Sequence, residues 1–228
     1  MKDDFSLNII ARIRTDFPTK FGIPRQSGLV PSLKARIVFE PEYRDASALK
    51  GLDGYSHLWL IWKFSESVCD SFQTTVRPPR LGGNKRVGVF ATRSPFRPNP
   101  IGLSSVKFEK IIENTSDGSV IEVSGADLLD NTPIYDIKPY IPYTDSHPEA
   151  KGGFSAEVYS NDIEVFIPQS IEKEIPDGVL EPLKDILSND PRPAYQADGR
   201  VYSFEFSNYQ IKFKVEGKIL QVLSIEKM

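Results

Sequence analysis

The chain has 228 residues, of which 39% are hydrophobic, and this is enough for one full domain and a small second one. Its net charge of -3 excludes a globally basic nucleic-acid-binding protein, so a polyanionic partner would have to be held by a local patch. A single cysteine, Cys69, excludes a disulfide framework, and two histidines, His57 and His147, argue against a metal site. Because we find no signal peptide and no apolar run of membrane-spanning length, we expect a soluble, cytoplasmic protein.

Strand patterns dominate the first 145 residues. Apolar residues in alternating or nearly continuous runs predict strands over 6–14, 34–40, 56–64, 103–112, 119–125 and 134–141. A short helix is expected over 45–50, with Asp45 as its N-cap. The segment 15–32 has prolines at 18, 24 and 31 and is long for a connection, which is typical of functional or disordered loops. Strands without alternating helices predict a closed or nearly closed β structure.

The pattern changes after a linker over 147–153. A strand over 157–167, a helix near 180–187 and short strands around 201–206 and 211–215 indicate a small α+β unit. We therefore predict a mainly β protein, with an N-terminal β-barrel domain over 1–150 and a small α+β C-terminal domain over 156–228.

The stretch 77–105 is the most unusual part of the sequence. It contains five prolines and four glycines around a predicted strand over 86–92, and no Asp or Glu occurs anywhere from 71 to 108. Its six basic residues are Arg77, Arg80, Lys85, Arg86, Arg93 and Arg97. The stretch is either a basic surface loop that pairs with acids elsewhere or a pre-organised anion site, and its stiff backbone favours the second interpretation.

The sequence lacks the motifs of the commonest enzyme classes. No GxGxxG follows a predicted strand, and Walker A, GxSxG, HExxH and CxxC motifs do not occur. A Rossmann cofactor site is therefore not supported. An enzyme without these groups would have to transfer a group from an already activated donor and act mainly by positioning two ligands.

Six motifs carry a resemblance to a known family. They are PRQ at 24–26, GYSHLWL at 54–60, RPPRLGGN at 77–84, GVFATRSPFRPNPIGLS at 88–104, DIKPY at 136–140 and DPRPAY at 190–195. Over nearly its whole length the chain resembles the TsaA-like (YaeB, TrmO) family. The resemblance implies an S-adenosylmethionine-dependent methyltransferase that acts on N6 of threonylcarbamoyladenosine beside the anticodon of threonine tRNA. It also implies a β-barrel catalytic domain and a homodimer with the cofactor near the subunit interface.

The resemblance also implies the cofactor-binding residues. They are Pro24, Arg25, Gln26, Ser65, Glu66, Arg93, Leu103, Ser124, Gly125, Ala126 and Asp127. Arg25 or Arg93 suits the methionine carboxylate, and Glu66 or Asp127 suits the ribose hydroxyls. Backbone groups of 124–127 and the Leu103 side chain suit the adenine. Ser65 stands where the family often has His, and Asn131 where it often has Gly; no catalytic residue and no metal is implied.

Several residues keep an alternative interpretation. His57 is expected to be structural, and Trp59 and Trp62 are expected in the core or a dimer interface instead of stacking on bases. Asp136 forms an ion pair with Lys138 or handles a proton. The DPRPAY motif is a structural turn or a tRNA contact through Arg192 and Tyr195. For the whole protein, the alternative to an enzyme is a non-catalytic adaptor or sensor that binds S-adenosylmethionine or RNA.

Overall fold

A computed structural model describes residues 6–67, 72–78, 81, 83–156, 163–192 and 199–228. Within these ranges the strands are β1 (Ala11–Arg14), β2 (Lys34–Phe39), β3 (His57–Lys63), β4 (Thr75–Val76), β5 (Val87–Gly88), β6 (Ile101–Thr115), β7 (Gly118–Ser124), β8 (Thr132–Pro139), β9 (Glu164–Phe166), β10 (Val201–Phe206), β11 (Tyr209–Glu216) and β12 (Ile219–Lys227). The α-helices are α1 (Pro142–Asp145), α2 (Gln169–Glu172) and α3 (Asp177–Ser188).

Six antiparallel strands close into a barrel in the order β1-β2-β7-β6-β3-β8. The long strand β6 opposes β3 with its first half, Ile101 to Lys107, and opposes β7 with its second half. This stagger lets the tilted strands close the sheet without leaving an unpaired edge. The barrel interior is filled by fully buried apolar side chains, among them Ala11, Ile13, Ile37, Leu58, Leu60, Ile121, Val123 and Ile134.

A glycine in β6 makes room for a tryptophan of β3. Gly102 lies directly opposite Trp62 in the register of the two strands. A Cβ atom at Gly102 would stand 2.2 Å from the Trp62 indole, far inside van der Waals contact. The indole can therefore lie across β6, where it reaches the next inward residue of that strand, Ser104.

The C-terminal part forms a four-stranded sheet in the order β10-β11-β12-β9, with α3 as its longest helix. Strands β10, β11 and β12 form an antiparallel meander, and β9 pairs parallel with β12. Leu180, Leu183, Ile186 and Leu187 are buried, and their spacing places them along one side of α3. They belong to the same core cluster as the inward side chains of the sheet.

The connection between β1 and β2, residues 15–33, contributes to this C-terminal core; we call it the crossover segment. Phe17, Val30 and Leu33 are each less than 5% exposed and belong to the same cluster as α3 and the sheet. The Phe17 ring lies 5.2 Å from that of Phe206. The crossover segment therefore starts and ends at the barrel but buries its apolar side chains in the other core.

The predicted fold class, a β-barrel followed by a small α+β unit, is confirmed. The predicted strand over 86–92 is wrong: only β5 forms, and a single 3-10 turn over Val89–Ala91 follows it. Strand β12 was not predicted. Residues 157–162 of the predicted strand 157–167, and also Cys69, lie outside the described residues. The division at about residue 150 stays a prediction.

Candidate functional site

The segments that carry the predicted site residues converge on one end of the barrel. Since neighbouring strands are antiparallel, the ends of β1, β3 and β7 and the starts of β2, β6 and β8 lie at the same end. The crossover segment, residues 64–100 and residues 125–131 connect these strands there. Segments far apart in sequence therefore meet at a single mouth.

Backbone hydrogen bonds fix the crossover segment against the turn that follows β7. The Gly28 amide donates to the Gly125 carbonyl at 2.8 Å, and the Gly125 amide donates to the Leu33 carbonyl at 2.9 Å. Gly125 has φ of 73°, and a Cβ atom there would stand 3.2 Å from the Gly28 Cα. A side chain at position 125 would therefore strain the backbone and press the two segments apart. From β6, the Ser105 amide donates to Ser27 Oγ at 3.2 Å.

Asp127 ends a chain of side-chain hydrogen bonds that begins in the barrel core. Trp62 Nε1 donates to Ser104 Oγ at 3.0 Å, and Ser104 Oγ donates to Asp127 Oδ1 at 2.6 Å. Ser104 is 1% exposed, so its hydroxyl has no alternative partner in bulk water. Burial raises the pKa of the Asp127 carboxyl above its ordinary value, while the Ser104 hydrogen bond and the positive charge of Arg93 lower it in part.

Arg93 is linked to the crossover segment through Gln26. Its Nη1 donates to Gln26 Oε1, and Gln26 Nε2 donates to the Arg25 carbonyl at 2.6 Å. Together with the electrostatic interaction between Arg93 and Asp127, this places a guanidinium and a partly desolvated carboxylate within reach of each other at the barrel mouth. Such a pair can hold a ligand that carries both an anionic group and hydroxyl groups.

Arg25 is turned towards the C-terminal part of the chain. Its Nη2 donates to the backbone carbonyls of Asp190 and Arg192, the first at 3.4 Å. Arg192 in turn donates to Asp190 Oδ1 at 2.9 Å and Oδ2 at 3.0 Å. The first half of the DPRPAY motif is therefore a structured turn that receives Arg25, and Pro24 lines the cleft between this turn and the crossover segment. Tyr195 lies outside the described residues.

The remaining predicted residues take different positions. Lys20 of the crossover segment donates to the Glu66 carbonyl, beside Ser65 in the turn that follows β3. Ala126 is buried beside Asp127. The structure does not bring the Leu103 side chain to the cluster, because Leu103 is 53% exposed and the strand alternation places it on the opposite face of β6 from Ser104.

The Ser124 side chain belongs to a separate polar cluster. Its Oγ donates to Glu109 Oε1 at 2.7 Å, and the same oxygen lies 2.9 Å from Lys34 Nζ and 3.2 Å from Lys107 Nζ. The Ser124 hydrogen bond, together with that from Lys34, lowers the pKa of Glu109 from 4.5 to about 2. Only the backbone of Ser124 is therefore left for a ligand.

The alternatives left open by the sequence are partly resolved. Trp62 is a core residue, and Trp59 Nε1 donates to Asp145 Oδ2 at 2.8 Å. Asp136 and Lys138 form an ion pair of 2.8 Å. Across the described ranges, no group of three His, Cys, Asp or Glu side chains is arranged to hold a metal ion. In the same part of the chain, no helix has the length and apolar character needed to cross a membrane.

Sequence reasoning missed Ser104, Trp62 and Ser27. One signal was present: Gly102, Ser104 and Val106 share the inward parity of β6, so a serine stood among residues expected to face the core. A buried hydroxyl requires a hydrogen-bond partner, and this requirement points towards an acid at the barrel mouth.

The closed six-stranded barrel is the fold expected of the TsaA-like barrel class, and in this chain Arg93 and Asp127 lie at its mouth. The chain belongs to the TrmO family. Residues 12–146 match the tRNA-methyltransferase O N-terminal domain, and residues 159–228 match the TrmO C-terminal domain.

Individual relatives agree with this assignment. A tRNA (adenine(37)-N6)-methyltransferase of Escherichia coli K12 is 35% identical over 97% of this chain and 98% of its own length. A putative S-adenosylmethionine-dependent methyltransferase of Pseudomonas aeruginosa is 39% identical over 84% of this chain and 83% of its own. A crystal structure of TrmO from P. aeruginosa superimposes with a TM-score of 0.79 at 30% identity, covering 100% of this chain and 99% of that one.

Proposed function

We propose that this protein uses S-adenosylmethionine to methylate N6 of the adenine beside the anticodon of a tRNA. The placement of Arg93 and Asp127 on one frame at the barrel mouth carries the proposal, because this pair complements a ligand with a carboxylate at one end and ribose hydroxyls at the other. The names of the relatives from E. coli and P. aeruginosa supply the substrate and the cofactor.

In the proposed site, Arg93 binds the methionine carboxylate and Gln26 holds the guanidinium in place. Asp127, oriented by Ser104, accepts hydrogen bonds from the ribose hydroxyls. Backbone groups of 124–127, fixed by the bonds between Gly125 and the crossover segment, contact the adenine. The cofactor supplies an activated methyl group with its own leaving group, so the chain has to align the acceptor and exclude water.

We further propose that the acceptor is N6 of threonylcarbamoyladenosine in threonine tRNA, which the family resemblance implies. That nitrogen is part of a urea and is a weaker nucleophile than a free amine, so removal of its proton during attack would help. We assign this step to no residue. The modified base must also leave the anticodon-loop stack to enter the barrel mouth. A cytoplasmic location, where tRNA is available, follows from this substrate.

The decisive experiment uses the full chain, labelled S-adenosylmethionine and total tRNA from cells that lack the enzyme. We expect label to appear in threonine tRNA, and digestion to nucleosides to locate it on N6 of threonylcarbamoyladenosine. Label on unmodified adenosine would support the methyltransferase activity but exclude threonylcarbamoyladenosine as the acceptor. Tight cofactor binding without any transfer would instead identify a non-catalytic adaptor.

We also propose a homodimer with the cofactor close to the subunit interface. Leu103 supports the proposal, because it lies on the outer face of the barrel, 53% exposed, in a motif implied to bind the cofactor. A second subunit would cover this side chain and complete the site from outside. Sedimentation should give a dimer at micromolar concentration, and a monomer with full activity would exclude the proposal.

A further inference from the structure

A two-stranded ribbon stands outside the barrel next to the proposed site. It consists of β4 and β5, which pair antiparallel with Thr75 opposite Gly88 and Val76 opposite Val87. The Val89 amide donates to the Thr74 carbonyl at 3.1 Å and continues the pairing by one step. The chain leaves the ribbon through the 3-10 turn over Val89–Ala91 and reaches Arg93, at the barrel mouth, two residues later.

One end of the ribbon carries two exposed aromatic rings. Phe90 is 73% exposed and Phe72 is 48% exposed. Their rings are stacked, with centroids 6.1 Å apart and an interplanar angle of 29°. Neither of the two core clusters includes them. Large apolar side chains that stack on each other but are left in solvent are typical of a binding surface.

The other end of the ribbon is cationic. Arg77 directly follows Val76 in the chain, and Lys85 and Arg86 directly precede Val87, the residue that pairs with Val76. All three basic residues are exposed. Arg86 Nε donates to Thr75 Oγ1 at 2.7 Å and its Nη2 to the Thr75 carbonyl at 3.1 Å, so its guanidinium is held along the ribbon.

We propose that this ribbon binds the single-stranded anticodon loop of the tRNA, with a base stacked on Phe90 and with phosphates on Arg77, Lys85 and Arg86. The inference rests on the proposed function and adds to it the surface that receives the RNA. Aromatic rings beside a cationic groove are the pattern with which proteins bind single-stranded nucleic acid. Charge disfavours a contact between the ribbons of two copies of the chain, since no acid occurs from 71 to 108 and two such surfaces would repel each other, whereas a phosphate backbone complements this charge.

The test measures binding of a fluorescently labelled anticodon stem-loop of threonine tRNA to the full chain. Phe90→Ala should weaken binding about 5- to 100-fold at every salt concentration, with an unchanged salt slope. Phe90→Tyr should keep the affinity and Phe90→Leu should not, because stacking requires a ring. As a control, Phe166→Ala removes another exposed phenylalanine, 53% exposed on β9, and it should leave binding unchanged.

The cationic end gives a different signature. Changing Arg77, Lys85 and Arg86 together to alanine should make the negative slope of log K against log salt less steep by about two units. Each phosphate contact with a single strand contributes about 0.7 to that slope. An unaltered slope in this variant, or wild-type affinity in Phe90→Ala, would overturn the proposal.

Methyl transfer by the wild-type chain to whole tRNA is measured in parallel. If the wild type transfers label but Phe90→Ala binds the stem-loop normally, only the ribbon proposal fails. If the wild type neither transfers label nor binds RNA, the proposed function fails. If Phe90→Ala weakens RNA binding and sedimentation shows that the variant has also dissociated from dimer to monomer, the ribbon is a subunit contact and the proposal is overturned.

Discussion

Replacing Ser104 with alanine is expected to disturb Asp127 and the barrel core together, because one hydroxyl links them. The variant removes a hydrogen bond to a carboxylate, worth about 1.5–3 kcal/mol, and leaves the Trp62 indole N–H unpaired, which costs about 1–3 kcal/mol. Both effects act through the same hydroxyl and do not add fully. We expect a loss of about 2–4 kcal/mol in the free energy of unfolding.

The pKa of Asp127 gives a second readout. Its pKa in the folded chain already lies above the ordinary value of 3.8 because of burial, and the Ser104 hydrogen bond opposes that shift. Ser104→Ala should therefore raise it further. A raised pKa means that the folded state holds its proton more tightly than the unfolded state. The contribution of Asp127 to stability is then fully present below pH 3.8 and is lost as pH rises through the folded pKa. The loss of unfolding free energy that Ser104→Ala causes through Asp127 should therefore increase towards neutral pH.

Denaturant unfolding and carbon-13 NMR titration of the Asp127 carboxyl would measure the two effects. Trp62→Phe keeps the Ser104 hydroxyl and its bond to Asp127 but removes the indole N–H donor together with part of the core packing. Ser105→Ala removes a neighbouring hydroxyl from the opposite face of β6. A double-mutant cycle of Ser104→Ala with Asp127→Asn should give a coupling energy of about 1.5–3 kcal/mol. A coupling below about 0.5 kcal/mol, or an Asp127 pKa that does not rise, would refute the hydrogen-bond chain.

Three further outcomes are expected. Arg93→Ala should weaken S-adenosylmethionine binding by roughly 1.5–3 kcal/mol in calorimetry, whereas Arg36→Ala, on the barrel wall, should not; equal affinities would remove Arg93 from the site. The Glu109 carboxyl should titrate near pH 2 by NMR, and Ser124→Ala should raise that midpoint. The contribution of Glu109 to stability, under about 1 kcal/mol at the surface, is present above pH 4.5 and lost as pH falls through about 2. Phe17→Ala should lower the unfolding free energy by about 3–5 kcal/mol, since the ring is 1% exposed in the C-terminal core; a loss below about 1 kcal/mol would contradict that packing.

The barrel could be predicted because its strands follow simple alternation and because glycines and polar turns separate them. The same rule failed in the basic stretch, where Val87, Val89 and Ala91 alternate with Gly88 and Phe90. There the Thr92 amide bonds back to the Val89 carbonyl, so a 3-10 turn replaces the strand. Period-2 spacing over a few residues does not distinguish a strand from a ribbon end followed by such a turn.

For the site, the family motifs led to the acid and the arginine at the barrel mouth but not to what holds them. Ser104 donates to Asp127 and accepts from the Trp62 indole, which crosses β6 over Gly102. The second contact depends on the register of two strands that no local pattern specifies. The position of the crossover segment was equally hidden. Its apolar residues show that a core exists, but which of the two cores they join is settled by tertiary packing.

The crossover segment determines which parts of this chain must be exchanged together when it is recombined with a relative. In a chimera that replaced only the residues after 150, the C-terminal core would come from a relative. Phe17, Val30 and Leu33 of this chain would then pack against side chains whose shapes do not complement them. A graft that moves residues 15–33 together with the C-terminal sheet keeps that core intact. It also carries Gln26 and Ser27, and with them part of the frame around the barrel mouth. A graft that carries the C-terminal core therefore also carries part of the candidate site at the barrel mouth.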